Sequence, residues 1–226
     1  PTPRVVREKY QARAQAQLRK LLTLLPDGVV LEYAGAIEWV KGEESLAIWA
    51  GPSMNIFNRE AEKEIENLGF SGCFLSQELT IPQIRYIAKG SDIPLGAYVY
   101  GRTEMMISEY CAINAVMGDK DKKHCPMYCM RGRFALKDGE GRRFPIHTDE
   151  WCHMHIANCH VLDMRPYFDE LKKAGLSALT LDVRGNEGSI LALCKDACDI
   201  LCGRKEAPGA GRGDDVTRGH FFRGVL

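Results

Sequence analysis

Hydrophobic residues of this chain gather in short runs, and between the runs they recur every three or four positions. The runs are typical of strands buried in a parallel sheet, because neither face of such a strand meets solvent. They lie at 29–33, 46–50, 70–75, 94–100 and 178–183. At the start of the chain, residues 4–25 have a helical period that predicts an amphipathic helix with an apolar face of Leu18, Leu21, Leu22 and Leu25.

Three further segments carry the signals that begin and end helices. Asn, Thr and Asp are preferred N-caps, and glycine is the preferred residue just past a helix end. The segments predicted as helices follow Asn58, Thr80 and Asp163, and they end at Gly69, Gly90 and Gly175. Strands that alternate with capped helices predict βαβ units and a parallel sheet, so the predicted fold class is α/β.

The segment 117–150 interrupts this alternation. Two stretches, RFALKD and RFPIHTD, flank the turn sequence DGEGR and predict a small β-hairpin insertion. The stretch 204–226 is rich in glycine and charge until its aromatic ending HFFRGVL, which we expect to dock on another surface. These patterns divide the chain into three parts: an N-terminal helix in 1–28, an α/β body in 29–203 that contains the insertion, and the tail in 204–226.

Charge and composition exclude some classes of protein. The chain has 226 residues, and 30 lysines and arginines balance 30 acidic residues, so net charge gives no general attraction to nucleic acid or anionic membranes. No apolar run is long enough to span a bilayer, and the N-terminus lacks the features of a signal peptide. We expect a cytoplasmic protein with no membrane partner. Nine cysteines in a reducing compartment favour thiols or metal ligands over disulfides.

Four of the cysteines fall in a region rich in turns. They are Cys111, Cys125, Cys129 and Cys152. Soft thiolates on loops can converge on one zinc ion or one iron–sulfur cluster, and the Cys125-x3-Cys129 spacing lets two of them reach one centre. A mixed zinc site that also uses His124 and His153 is an alternative. Four unrelated thiols are the other alternative, because the spacing is not that of a zinc ribbon.

Other cysteines favour packing over chemistry. Cys194, Cys198 and Cys202 recur every four residues on one face of a predicted helix, where cysteine serves as a small hydrophobic residue. Cys73 lies in a predicted strand, and we expect it in the core.

Charged residues near strand ends are the candidates for acid–base and anion-binding roles. In a β/α barrel, the carboxyl ends of the strands form the face where active sites lie. Arg102 ends one predicted strand, and Glu104 and Glu109 follow it. Arg184 ends another strand just before a predicted helix start, where an anion is favoured. Surface salt bridges are the alternative for each. The sequence contains no GxSxG or HExxH motif and no clear Cys/His dyad signature.

Several segments, in order along the chain, resemble a known family. They are YGRTEMMISEYC, HCPMYCMRGRFALKD, FPIHTDEWCHMHIANC, LSALTLDVRG and TRGHFFRGV. These segments resemble peptidase family U-32, the collagenase-like peptidases, and look closest to the branch that includes a ribosomal RNA cytidine hydroxylase. The resemblance runs from about Leu46 to the C-terminus.

The resemblance implies a fold, a cofactor and two activities. It implies a TIM-like (β/α) barrel and a [4Fe–4S] cluster, with Cys111, Cys125 or Cys129, and Cys152 at ligand positions. The family name implies a peptidase. The family's better understood members instead hydroxylate ribosomal or transfer RNA, or ubiquinone precursors, without oxygen.

Two departures from the family pattern affect these expectations. The usual opening strand with Ala-Pro-Ala-Gly is not visible, and about six strands are predicted where a closed barrel has eight. We therefore expect the later part of a barrel, partial or modified, with a missing segment or a second copy of the chain covering its open edge. Cys159 stands where the family often has a small polar residue, so we place it outside the site.

Three functions remain open at the level of the sequence. The first is a cluster-dependent, oxygen-independent hydroxylase acting on RNA or a small aromatic precursor, in which Arg102 and Arg184 hold an anionic group and Glu104 or Glu109 moves protons. The second is a peptidase or peptide-binding barrel, for which no nucleophile–base pair is recognisable. The third is a zinc-stabilised, non-catalytic dimeric module.

Overall fold

The structure, a computed structural model, describes residues 2–118 and 125–182. His124, Arg184, the predicted cysteine-bearing helix at 194–202 and the tail at 204–226 lie outside the described residues. The helices are α1 Glu8–Leu22, α2 Arg59–Asn67, α3 Ile81–Ala88, α4 Ala112–Met117 and α5 Phe168–Lys173. The strands are β1 Gly28–Leu31, β2 Ala47–Ala50, β3 Gly72–Phe74, β4 Leu95–Gly101, β5 Glu104–Ser108, β6 Phe134–Lys137, β7 Arg143–Thr148, β8 Met154–Ala157, β9 Leu162–Asp163 and β10 Ala178–Leu181.

A curled parallel sheet forms a half-barrel. Its order is β1-β2-β3-β4-β10, every neighbouring pair along this path is parallel, and β9 pairs antiparallel with the end of β4. The five apolar runs of the sequence correspond to the five parallel strands, and every residue of β4 is buried, as expected for a strand covered on both faces. The α/β prediction and the prediction of a partial TIM-like barrel are confirmed.

Two of the three predicted helix starts are confirmed. The Asn58 side chain accepts a hydrogen bond from the backbone N–H of Ala61, and Thr80 forms a reciprocal capping box with Gln83. The prediction for Asp163 is wrong, because this residue ends β9 and its carboxylate accepts from the backbone N–H and the guanidinium of Arg165. A 3-10 turn at Arg165–Tyr167 then leads into α5.

Helix α1 is shorter than the predicted segment, and its buried face is narrower. Ala14 and Leu18 are buried, and Leu22 packs against the core. Leu21 is 58% exposed and Leu25 is 88% exposed, which corrects the prediction for these two residues. The helix ends at Leu22 and Leu25 has a left-handed φ of 50°, so Leu25 no longer continues the helical face. Within the described residues, no helix combines the length and the apolar character needed to cross a bilayer.

A second sheet contains the predicted hairpin and extends it. Strands β6 and β7 form the antiparallel hairpin, with Phe134 opposite Ile146, so the hairpin prediction is confirmed. Strands β8 and β5 then pair in turn, which gives the antiparallel order β5-β8-β7-β6. The chain passes from β4 into this sheet at Gly101, whose φ of 124° favours glycine. The insertion is therefore part of a four-stranded sheet rather than an isolated hairpin.

The segment from Arg4 through α1 joins the two sheets. Leu18 of α1 belongs to the core of the half-barrel. On the second sheet, the ring of Tyr10 packs against Trp151 at 5.0 Å between centroids, and the Arg13 guanidinium lies 4.7 Å from the Trp151 ring. Arg13 also forms a 2.8 Å ion pair with Glu150. Helix α1 thus fixes the turn between β7 and β8 against the barrel.

Candidate functional site

Three side chains from neighbouring strands of the second sheet converge at its half-buried face. Glu104 begins β5, His155 lies in β8 and His147 lies in β7, directly opposite His155. The Nδ1 atom of His155 lies 2.5 Å from Oε2 of Glu104. The rings of His147 and His155 stack at 4.9 Å between centroids, with an angle of 10° between the planes. One ligand atom from each residue lies within 4.8 Å of the other two.

The ladder register between β5 and β8 sets the position of Glu104. Glu104 pairs with Ala157, Met106 pairs with Ile156, and the register shifts between these two pairs. Such an irregularity re-aims the side chains near it. Glu104 therefore lies diagonally across from His155, which is within reach of a glutamate side chain.

Asp149 organises the turn between β7 and β8. Its Oδ1 atom accepts backbone N–H bonds from Trp151 at 2.9 Å and His153 at 2.8 Å. Its Oδ2 atom lies 2.9 Å from Nδ1 of His153 and 3.3 Å from Nε2 of His155. Burial alone would raise the pKa of Asp149, but the hydrogen bonds from the His153 backbone and from the two rings lower it. An ionised Asp149 thus holds both histidines and the turn that carries Cys152.

The electrostatics of the pair formed by Glu104 and His155 favour a charged state. Burial alone would raise the pKa of Glu104, but hydrogen bonds from His155 and from Arg4 lower it below its ordinary value. The hydrogen bond to Glu104 raises the pKa of His155, against the opposing effect of burial, and Asp149 adds to the rise. Both directions favour an ion pair, with an anionic Glu104 and a protonated His155.

Both predicted acidic residues contact arginines that precede α1. Arg4 donates to Oε1 of Glu104 at 2.8 Å, and Arg7 forms an ion pair with Glu109. Oε1 of Glu109 also lies 3.8 Å from Nε2 of the buried His153. Glu104 and Glu109 are thus held at the second sheet, beyond the strand end of the half-barrel where the sequence placed them.

Arg102, predicted to hold an anionic group, lies at the end of β4 and is half-buried. Its Nη1 atom donates to the backbone carbonyl of Asn158 at 2.9 Å and to that of Cys159 at 2.5 Å. Arg102 therefore also connects the strand end of the half-barrel to the segment that follows β8.

Three of the four predicted cysteine ligands lie at the start of α4 or in the segment that contains the 3-10 turn beside it. Cys111 is the N-cap of α4, and its sulfur accepts the backbone N–H of Asn114 at 3.4 Å. The sulfur of Cys125 accepts the backbone N–H of Met127, also at 3.4 Å. Cys129 lies in a 3-10 turn at Tyr128–Met130 that packs against α4. All three thiols are half-exposed and free.

The fourth predicted ligand, Cys152, is an exposed free thiol in the turn held by Asp149. Its φ of 60° is a conformation that non-glycine residues adopt at a cost. Met127, between Cys125 and Cys129, has a φ of 52°. Two of the turns that carry cysteines therefore have strained backbone, and such strain is concentrated at functional sites.

The spacing of these thiols bears on the kind of metal they could hold. Sulfurs around one tetrahedral zinc lie about 3.8 Å apart, given a Zn–S distance of about 2.3 Å. Among the described residues, no group of three that includes a cysteine or His153 has its ligand atoms within 4.8 Å. Ligands of an iron–sulfur cluster stand further apart, because several irons lie between them. The nitrogens of His153 face Asp149 and Glu109 instead.

Cys73 behaves as the sequence predicts. Its side chain is fully buried in the core of the half-barrel. Burial, with a smaller contribution from the Glu62 carboxylate, raises the pKa of the Cys73 thiol to about 12. A thiol in this state is unreactive, so Cys73 has a packing role.

Local sequence patterns did not predict a role for His147, Asp149 or Glu32. His147 and His155 lie on the two strands of one antiparallel pair. Histidines at alternate positions of FPIHTDEWCHMHIA are the sequence pattern that could have indicated this pairing. Glu32 follows β1 at the carboxyl edge of the half-barrel, where its carboxylate accepts from the hydroxyl and backbone N–H of Ser53. Glu32 therefore follows the end of a strand, as Glu104 does in the sequence, and strand ends are where active sites of β/α barrels lie.

Comparison with known proteins identifies the family. The family model described as peptidase family U32 matches residues 4–198. No curated protein matches the chain. One solved structure, that of the U32 peptidase Mk0906, is 18% identical, with a TM-score of 0.36 over 43% of this chain and 40% of that one. The Bacillus megaterium QM B1551 spore cortex-lytic enzyme SleL is 13% identical, with a TM-score of 0.32 over 77% of this chain and 50% of that one. The chain thus spans half or less of either structure, and the family match over most of its length shows that it belongs to peptidase family U32.

Proposed function

We propose that Cys111, Cys125, Cys129 and Cys152 hold a [4Fe–4S] cluster, and that the chain takes part in oxygen-independent hydroxylation of RNA or of a small aromatic precursor. The observation that carries the proposal is that the sulfurs of Cys111 and Cys125 already accept backbone N–H hydrogen bonds. Hydrogen bonds to ligand sulfurs stabilise thiolates and help to set the potential of a cluster.

The chemistry and the exposure of the four donors support this proposal. The four thiols lie at a helix start and in turns rather than inside strands, and they are exposed or half-exposed. Thiolates are the ligands that iron–sulfur clusters take. Hydroxylation removes two electrons from the substrate, so without O₂ the reaction needs another oxygen donor as the oxidant, and the cluster, when bound, would pass electrons one at a time.

The chain's own residues would then bind the substrate and move protons. Arg102 and Arg184 are our candidates for holding an anionic group such as a phosphate. Glu109 and the pair of Glu104 with His155 are the candidates for proton transfer. The lowered pKa of Glu104 favours the carboxylate as the proton acceptor, and the raised pKa of His155 favours the imidazolium as the donor.

A second copy of the chain or a further segment is part of the same proposal. Within the described residues β1 pairs with β2 alone, so it is an edge of the half-barrel. The backbone N–H of Thr2 donates to Val30 at 2.9 Å and covers part of this edge. We expect the remainder to be covered, because unpaired strand edges associate readily.

Purification without oxygen, followed by iron, acid-labile sulfide and zinc analysis and a visible spectrum, tests the proposal. We expect equal amounts of iron and sulfide and a brown protein that absorbs at about 400 nm. Zinc at one equivalent bound through the cysteines, without iron, would contradict the cluster and favour the zinc-stabilised module.

The peptidase alternative has a separate test. Cleavage of an unfolded protein substrate, abolished by one point substitution in this chain, would contradict the hydroxylase proposal. We expect no such cleavage, because the sequence has no recognisable nucleophile–base pair.

A further inference from the structure

We propose that Glu104, His147 and His155 form a binding site for a divalent transition metal of the zinc class, distinct from the four cysteines. The site offers two imidazoles and one carboxylate, a donor set that suits Zn²⁺ and Fe²⁺. It goes beyond the cluster proposal and does not depend on it.

The distances lie within reach of a metal centre. Zinc bonds to imidazole nitrogen and carboxylate oxygen at about 2.0–2.2 Å, so ligand atoms of a tetrahedral site lie roughly 3.3 Å apart. The candidate atoms of the three residues lie within 4.8 Å of one another, and Nδ1 of His155 lies 2.5 Å from Oε2 of Glu104.

The strands supply a rigid frame for the three ligands. His147 and His155 are direct partners in the antiparallel ladder of β7 and β8, and β5 pairs with β8 on its other side. Sites built on strands are held more precisely than sites on loops. All three side chains are half-buried, so an ion can enter from solvent.

Outer contacts already orient two of the ligands. Oδ2 of Asp149 lies 3.3 Å from Nε2 of His155, which directs Nδ1 of that ring toward Glu104. A histidine that donates its second N–H to a carboxylate is the usual arrangement at protein metal sites. Arg4 bonds to Oε1 of Glu104 at 2.8 Å, and the other oxygen, Oε2, faces His155.

Three protein ligands leave one coordination position open. Closed structural zinc sites have four protein ligands, whereas three ligands with one open position are typical of catalytic zinc. A water or a substrate oxygen would take the fourth position. With a cation bound, Glu104 serves as a ligand, and proton transfer in the proposed hydroxylation falls to Glu109.

The test compares metal binding by three full-length proteins: wild type, His147→Gln and His160→Gln. His160 is an exposed histidine of the same region and serves as the matched control. Equilibrium dialysis against Zn²⁺ should show one site whose affinity falls at least tenfold in His147→Gln and is unchanged in His160→Gln. Equal zinc binding in all three proteins would overturn the proposal.

Cobalt distinguishes this site from the cysteines. Co²⁺ bound at Glu104, His147 and His155 has no thiolate ligand, so its spectrum should lack sulfur-to-metal charge-transfer bands. His147→Gln should abolish the binding of this equivalent of Co²⁺.

If the His147→Gln variant fails to fold, NMR of the histidine rings in the wild-type protein provides the test instead. Zn²⁺ should then shift the His147 and His155 resonances and leave that of His160 in place, and unshifted rings would contradict the site. This result does not depend on the iron or sulfide content, so it tests the metal site independently of the cluster proposal.

Discussion

Nδ1 of His155 lies 2.5 Å from the Oε2 atom of Glu104, although 51 positions separate the two residues in sequence. The contact joins β8 to β5 and unites an anionic carboxylate with an imidazole whose pKa is raised. The contact belongs to the proposed metal site and is one candidate for proton transfer in the proposed function, because the same two atoms can share a proton or take a metal ion.

The pH dependence of stability follows from this pair in the presence of a chelator. The folded pKa of Glu104 is below 4.5, so its contribution is present above pH 4.5 and is lost as pH falls through the lowered pKa. The folded pKa of His155 is above 6.5, so its contribution is present below pH 6.5 and is lost as pH rises through the raised pKa. We expect the stabilisation to be largest between these two values.

Glu104→Gln should therefore lower the free energy of unfolding by about 1–3 kcal/mol near pH 6, and by less at higher pH. Urea denaturation across this pH range measures the effect. Glu140→Gln is the control, because Glu140 is an exposed partner of Arg142 and its loss should change little. Identical pH profiles for wild type and Glu104→Gln would contradict the assigned ion pair.

The four proposed cluster ligands can be separated from the remaining thiols. Cys152→Ser should lower iron content by at least half in protein prepared without oxygen, because a serine hydroxyl is a poor replacement for a thiolate. Cys159→Ser is the matched control, since Cys159 is a half-exposed free thiol of the same region that we place outside the site. Full iron content in Cys152→Ser would remove that residue from the ligand set.

A glycine in the middle of the half-barrel should not tolerate a side chain. A Cβ at Gly96 of β4 would lie 2.5 Å from the ring of Phe74 and 3.2 Å from the Cβ of Ala178. Gly96→Ala should destabilise the protein by about 1–3 kcal/mol, because the neighbouring strands must shift. Urea denaturation should show no such loss for Gly139→Ala, where the added carbon meets nothing within 4 Å.

The packing of α1 on the second sheet depends on Trp151, which is 7% exposed. Trp151→Ala removes the contacts with Tyr10 and Arg13 and should cost about 3 kcal/mol. Hydrogen exchange of the backbone amides in α1 should become faster. Trp151→Phe keeps an aromatic ring and should retain most of the protection, whereas unchanged exchange in Trp151→Ala would show that other contacts hold the helix.

Local signals in the sequence determined the elements of the half-barrel. The apolar runs correspond to β1, β2, β3, β4 and β10, because a strand buried on both faces must be apolar throughout. Asn58 and Thr80 marked helix starts through hydrogen bonds that span only three residues. Asp163 failed as such a marker, because its pairing with Tyr100 in β4 is a contact across the sheet that no local pattern contains.

Tertiary structure alone decided which side chains meet. The convergence of Glu104, His147 and His155 depends on the register of three strands, and a one-residue slip would turn a strand's side chains to the other face. The contacts of Arg4 and Arg7 with Glu104 and Glu109 join parts of the chain about a hundred residues apart. The sequence by itself determined the strands, two helix starts and the cysteine-rich region, since these follow from neighbours along the chain. The site geometry required long-range strand pairing, which depends on the packing of the whole chain.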